Sequence, residues 1–160
     1  MSAARAPRGF TLVELLVTIV IVGILASAIF PMAELAVRRN KEQQLREALR
    51  SIRLAIDAYK RAGDEGHIER KADESGYPHS LDELVAGVVD AKNPRGERMR
   101  FLRSIPRDPL FTDAAVPSAK TWGLRSYASS HEEPKEGKDV FDVYSTAPGT
   151  GLNGVSYREW

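Results

Sequence analysis

Between Glu14 and Glu34 the chain carries no charged side chain. An apolar run of roughly 20 residues matches the ~30 Å hydrocarbon core of a bilayer. A cleaved secretory signal is one reading, and the basic start fits it. Its apolar region would be about 7–15 residues long and would end at a small-residue cleavage site. Here the run is longer and passes into a second helical pattern. Length and hydropathy alone leave a plain single-pass anchor standing. Arg5 and Arg8 ahead of the run would hold the N-terminus in the cytoplasm, whereas Arg38, Arg39 and Lys41 behind it argue the opposite way. Charge alone therefore does not orient the segment.

Glu14 disturbs both readings. An acidic side chain in a spanning segment costs up to about 2.5–3.5 kcal/mol when placed centrally, so it needs a partner or a functional reason. A new α-amino group on Phe10, made by cutting after Gly9, would be one suitable cation, from the same chain or a neighbour.

The segment Arg8-Gly9-Phe10-Thr11-Leu12-Val13-Glu14-Leu15-Leu16 resembles the processing and methylation signature of type IV pilins and type II secretion pseudopilins. The resemblance implies that a membrane peptidase, the prepilin peptidase, cuts after Gly9 and methylates the new N-terminal Phe10. It implies that Glu14 pairs with a neighbour's amino terminus during assembly. Pro31 falls where the family often has a helix-bending proline.

Beyond the run, Leu45, Leu49, Ile52, Ile56 and Tyr59 recur at spacings of four, three, four and three, which mark one face of a helix. Ala48 and Ala55 widen that face, and Arg46, Glu47, Arg50, Arg53, Asp57 and Lys60 lie between. Glu42 and Arg46 are placed to pair four apart. Gly63 is a plausible stop. One helix is expected over 10–62, apolar all round in its first half and amphipathic in its second, with Pro31 removing an internal hydrogen bond and bending it. The apolar repeat covers barely two heptads, short of a coiled coil.

Residues 63–76 read as a polar loop. Ser80 and Glu83 form a capping box that opens a short helix. Pro106, Asp108 and Pro109 turn the chain. Two strands are expected, over 121–129 and 139–146, joined as an antiparallel pair by the polar stretch between them. The Gly-rich tail ends in Trp160, which is expected to tuck against the fold.

Tyr77-Pro78 before a short helix, Ile105-Pro106-Arg107-Asp108-Pro109, and Asp142-Val143-Tyr144-Ser145 before a Gly-rich end are similar to the major, or G-type, pseudopilins. That type commonly holds a calcium ion in its C-terminal loop. Calcium takes six to eight oxygen ligands, several of them carboxylate. Asp139 and Asp142 precede the loop, residues 148–154 hold no acid, and Asn153 offers a neutral oxygen. The donor count falls short, so no metal or other cofactor is assigned, with a calcium loop near Asp139, Asp142 and Asn153 as the alternative.

Composition closes off other classes. There are 23 Lys and Arg against 22 Asp and Glu, for a net charge of +1, so bulk charge points to no nucleic acid. With no cysteine, disulfides and thiolate chemistry are excluded. That lack also suits a pseudopilin better than many pilus-forming pilins. His67, His79 and His131 show no metal-ligand spacing, and Ser80 and Ser145 lack a nucleophile-elbow setting. Gly149, Gly151 and Gly154 match a dinucleotide pattern by accident, since no βαβ unit can follow them. The basic stretches 38–41 and 95–103 read as solvated faces.

The expected fold is α+β, type IV pilin-like: a long N-terminal helix packed on a small antiparallel β-sheet. The expected parts are a leader at 1–9, a transmembrane and assembly half at 10–33, an amphipathic half at 34–62 and a globular domain at 63–160. The resemblance implies a structural pseudopilin of type II secretion, not an enzyme, self-assembling into a helical filament with other pseudopilins on an inner-membrane platform. It would be single-pass in the bacterial inner membrane, with its C-terminal domain in the periplasm. A type IV pilus subunit is the alternative, and a membrane-anchored enzyme or binding module the contrasting class.

Overall fold

The computed structural model describes residues 9–71 and 74–160, without the side chains of 28–31. The chain divides into two compact units, at Asn40/Lys41. Its elements are α1 (Leu12–Asp64), α2 (Leu81–Ala86), β1 (Val88–Val89), β2 (Arg98–Met99), β3 (Trp122–Arg125) and β4 (Asp142–Ser145), with single turns of 3₁₀ helix at Ser118–Thr121 and Tyr157–Glu159.

In the first unit, the side chains of α1 described on either side of 28–31 are almost all exposed. Leu12 is 76% exposed, and Leu16, Val20 and Ile24 all exceed half. Pro31 lies within the helical run. Its side chain, and with it the expected bend, lies outside the described residues, as does the leader before Gly9.

In the second unit the stripe read from the sequence is the core. Leu45, Leu49, Ile52, Ile56 and Tyr59 are buried, with Ala48 and Ala55 beside them. They pack with Leu81 and Leu84 of α2, Trp122, Val140, Val143 and Tyr157. Each fully buried aliphatic side chain stabilises the fold by ~1.5–3 kcal/mol relative to exposure. Helix α1 runs past Gly63 to Asp64 and closes on Gly66, whose φ of 80° is left-handed. The Gly66 N–H donates to Gly63 O (3.0 Å) and the His67 N–H to Ala62 O (2.9 Å). Those two bonds satisfy orphan carbonyls of the last turn, so the stop falls three residues later than Gly63.

Helix α2 begins where the capping box placed it, but only part of that box is built. Ser80 has extended backbone and its hydroxyl makes no cap bond. Glu83 reaches back past Ser80: its Oε2 accepts the His79 N–H (2.8 Å) and its Oε1 the Tyr59 hydroxyl (3.1 Å). Glu83 thus makes one local and one long-range tie.

The expected antiparallel pair is β3–β4, with Trp122 opposite Ser145, Gly123 opposite Tyr144, Leu124 opposite Val143 and Arg125 opposite Asp142. A second, minimal ladder pairs Val88 with Met99 and Val89 with Arg98, so the sheet is two two-stranded pieces. The Ile105–Pro109 turn is fixed from within: Asp108 is fully buried. Its Oδ1 takes the Leu110 N–H (2.8 Å), its Oδ2 takes the Ser145 hydroxyl (2.6 Å), and the Pro106 carbonyl accepts Trp122 Nε1–H (2.8 Å). A buried carboxylate matched this way avoids the penalty of an unpaired one.

Candidate functional site

Gly9 and Phe10 precede α1, are not helical and are exposed. Phe10 is 79% exposed, and a side chain at Gly9 would meet nothing within 4 Å. A peptide bond in such a position is open to a protease, which must draw its substrate backbone into an extended path. Thr11 then starts the helix. Its hydroxyl accepts the Glu14 N–H (3.3 Å), and its carbonyl accepts the Leu15 N–H (3.1 Å). Thr11 is thus an N-cap, and Thr11 with Glu14 has the capping-box spacing. The Thr11–Glu14 spacing is the sequence signal for this cap. Glu14 lies in the first turn, where a carboxylate is favoured by the positive end of the helix dipole. It is exposed, as are its neighbours on every side, so it can meet a cation from outside this chain.

The segment that follows is the one helix among the described residues long and apolar enough to cross a membrane, judged by length and composition. Its exposed face is apolar over several turns, with Val13, Leu16, Val17, Val20 and Ile21 lining one shallow groove. Surfaces of this kind are covered by lipid or by other helices.

The three donors weighed for calcium spend their oxygens on separate protein partners. Asp139 Oδ1 takes the Tyr127 N–H (2.9 Å), and its Oδ2 takes the Ser75 hydroxyl. Asp142 is held by two guanidinium groups, Arg53 Nε on Oδ1 (2.7 Å) and Arg125 Nη2 on Oδ2 (3.1 Å). Asn153 Oδ1 takes the Val155 N–H (3.1 Å). Among the described residues no group of three or more His, Cys, Asp or Glu side chains is placed to hold a metal ion. A dication at Asp142 would sit against two fixed positive charges. The donor set does not fit calcium.

Two residues on the far part of α1 do more than the sequence suggested. Glu42 is only 4% exposed. Its Oε1 accepts the Leu152 N–H (2.9 Å) and the Tyr157 hydroxyl (2.9 Å). Its expected role as a surface partner of Arg46 gives way to this buried one, and the Arg46 guanidinium lies over the Trp160 ring (4.4 Å to the centroid). Arg53 Nη2 donates to the Val143 carbonyl (3.0 Å) and the Trp160 main-chain oxygen (2.6 Å). The signal for Glu42 was its phase. It lies three residues before Leu45, on the extended apolar stripe, where a solvated charge would be out of place.

The histidines do not converge. His67 Nδ1 meets Asp90 Oδ1 (2.8 Å), and His79 lies near Glu83 (3.5 Å) and Glu74 (3.9 Å). His131 is exposed. The Gly149–Gly154 glycines belong to a tight C-terminal loop: the Gly151 N–H donates to Val155 O (2.8 Å) and the Gly154 N–H to Gly151 O (2.9 Å).

A family model described as a prokaryotic N-terminal methylation motif matches residues 4–30. Relatives named type II secretion system core protein G align over most of the chain. One from Klebsiella michiganensis is 29% identical over 84% of this chain and 90% of its own length. One from Vibrio cholerae is 32% identical over 71% of this chain and 72% of its own. One from Klebsiella pneumoniae is 35% identical over 66% and 71%. No solved structure gives a significant match.

Proposed function

The chain belongs to the type II secretion system core protein G family, and on that premise we propose that it is a structural pseudopilin, a subunit that stacks into a short filament and helps push folded proteins across the outer membrane. It is a building block and not a catalyst. The α+β arrangement of α1 with small antiparallel ladders is that of a type IV pilin-like subunit.

One observation supports the mechanism: an open Gly9–Phe10 bond stands directly before a helix whose N-terminal part is exposed and apolar over several turns, with Glu14 its one charge before residue 28. A prepilin peptidase cuts after Gly9 and methylates Phe10. Residues 10–33 hold the subunit in the inner membrane, with the globular part in the periplasm, and later pack against the same segment of neighbouring copies. Glu14, one helical turn after Phe10, meets a neighbour's new amino group in that apolar setting and sets the register. Pairing matters there because an unpartnered carboxylate among helices is costly, while a mispaired stack leaves it unpartnered. From Leu45 on, α1 packs into the globular part, whose remaining core and surface come from residues beyond it.

Intact mass and N-terminal sequence of the chain recovered from cell membranes test this. The expected mature chain begins at N-methylated Phe10. Glu14→Ala should still be cleaved but should fail to form filaments and to support secretion. A chain that keeps Met1 or Ser2 in cells with active peptidase, or a Glu14→Ala variant that assembles normally, overturns the assignment.

A further inference from the structure

The C-terminal loop has no acid of its own between 148 and 154, yet it is closed tightly. Within it, Gly149 O accepts the Tyr157 N–H (3.3 Å), Gly151 O accepts the Gly154 N–H (2.9 Å) and Val155 O accepts the Gly151 N–H (2.8 Å). The Gly149, Gly151 and Val155 carbonyls are thus engaged in closing the loop on itself. The remaining charge comes from α1. Glu42 reaches one side, taking the Leu152 N–H and the Tyr157 hydroxyl on one oxygen. Arg53, eleven positions and about three helical turns further on, reaches the other side, bridging Asp142, the Val143 carbonyl and the Trp160 main-chain oxygen. Arg46 lies between them and covers the Trp160 ring, which packs edge-on against Tyr157 (5.2 Å between centroids).

We propose that α1 itself closes the C-terminal loop, through Glu42 and Arg53, and that the loop neither needs nor binds calcium. The two tasks of a loop-closing cation are shared out. An ion would gather acceptors; here Arg53 gathers them, with a guanidinium that donates to three groups at once. An ion would order the loop backbone; here Glu42 orders it as a buried acceptor facing an N–H and an O–H. Arg53 and Arg125 also make Asp142 unfavourable for a second cation. The G-type resemblance implies a calcium ion in this loop, and the side chains present replace it.

The full-length chain in detergent micelles is the material for the test, with thermal unfolding followed by tryptophan fluorescence in millimolar calcium chloride and in excess EGTA. A native-state ligand at high saturation raises Tm by several degrees. The expected shift here is within about 1 °C, well under that ligand effect. Subtilisin cleavage in the loop gives the second readout. Glu42→Ala, which removes the Oε1 acceptor of the Leu152 N–H and the Tyr157 hydroxyl, should raise the cleavage rate about tenfold, equally with and without calcium. Glu42→Gln retains one carbonyl oxygen and should fall between. Tyr157→Phe removes a single donor and serves if the alanine variant does not fold; it should raise cleavage about threefold. A calcium-dependent rise of several degrees in Tm, wild-type cleavage rates in the variants, or re-protection of the opened loop by calcium would each overturn the proposal. None of these readouts depends on filament assembly, so this idea and the assembly reading can fail separately.

Discussion

Asp90 and His67 show how much a single pair can hide from a sequence. They are 23 residues apart, and His67 has no metal-ligand spacing in the sequence to mark it. Their meeting is made by the loop after α1, where the His67 carbonyl also receives the Ala91 N–H (2.8 Å), and no periodic signal announces a loop contact of that kind. The hydrogen bond from His67, then that from the Lys92 N–H, holds the Asp90 carboxyl below its ordinary value of 3.8, with burial acting in the opposite direction. The sign follows from linkage. A carboxyl whose folded-state pKa is lowered stabilises the native state at pH above its unfolded value, and that contribution is lost as pH falls through the folded value. Carboxyl ¹³C NMR should find Asp90 titrating below 3.8, and His67→Ala should move its midpoint up toward that value. An unmoved midpoint would remove His67 as the cause. Gly9, Phe10 and Glu14 carry a signal that is local in the chain, an exposed bond before the helix and an acid within its first turn. Glu42 departs from its spacing at this scale: four-residue spacing matches it with Arg46, but it lies on the buried face, against Leu152 and Tyr157.

At the scale of elements, the hydrophobic stripe of α1 was readable because a period of 3.6 sustained over several turns has few competitors. Strands β3 and β4 were located, but each is shorter than the alternation suggested. The reason lies in the chain that joins them. The Ser126 N–H leaves the ladder for the Lys135 carbonyl (2.9 Å) and the Tyr127 N–H goes to Asp139 (2.9 Å). The Tyr127 ring then stacks on Tyr77 (5.6 Å) and meets Phe141 edge-on (5.5 Å) instead of continuing a strand face. The β1–β2 ladder has two residues a side, too few to show any alternation. Gly123 gives the sheet a specific test. It lies opposite Tyr144, and a Cβ there would come within 2.3 Å of the Tyr144 ring. The tyrosine covers the glycine, a pairing that pins register. Gly123→Ala should destabilise the globular unit by about 1–3 kcal/mol in urea unfolding, the usual cost of overpacking. Adding Tyr144→Ser should recover part of that loss, because the two residues share one space and their effects are coupled. A fully additive double mutant would mean that the ring moves aside freely.

For the whole molecule, the division at Asn40/Lys41 separates two kinds of surface. Every member of the buried core cluster lies at or beyond Leu45, and α1 contributes to it only from there on. The described residues before Asn40 contribute no buried side chain. The sequence placed the change of character nearer Glu34, where the first charge returns, because charge marks where a bilayer ends. It does not mark where a core begins, and that depends on which apolar face finds partners. The core and the exposed apolar surface therefore belong to different stretches of one helix. A fragment spanning 41–160 should fold in water without detergent, since it keeps the whole core, both ladders and the Glu42 and Arg53 ties. Its urea unfolding should be a single cooperative transition by both fluorescence and circular dichroism, and it should sediment as a monomer. The intact chain should need detergent or lipid, or associate through the exposed segment after Phe10. Substituting Ile52 by Ala in the fragment should cost ~2–5 kcal/mol, as for a fully buried aliphatic residue. A fragment that is molten, or that unfolds with different midpoints by the two probes, would show that residues before 41 are part of the folding unit.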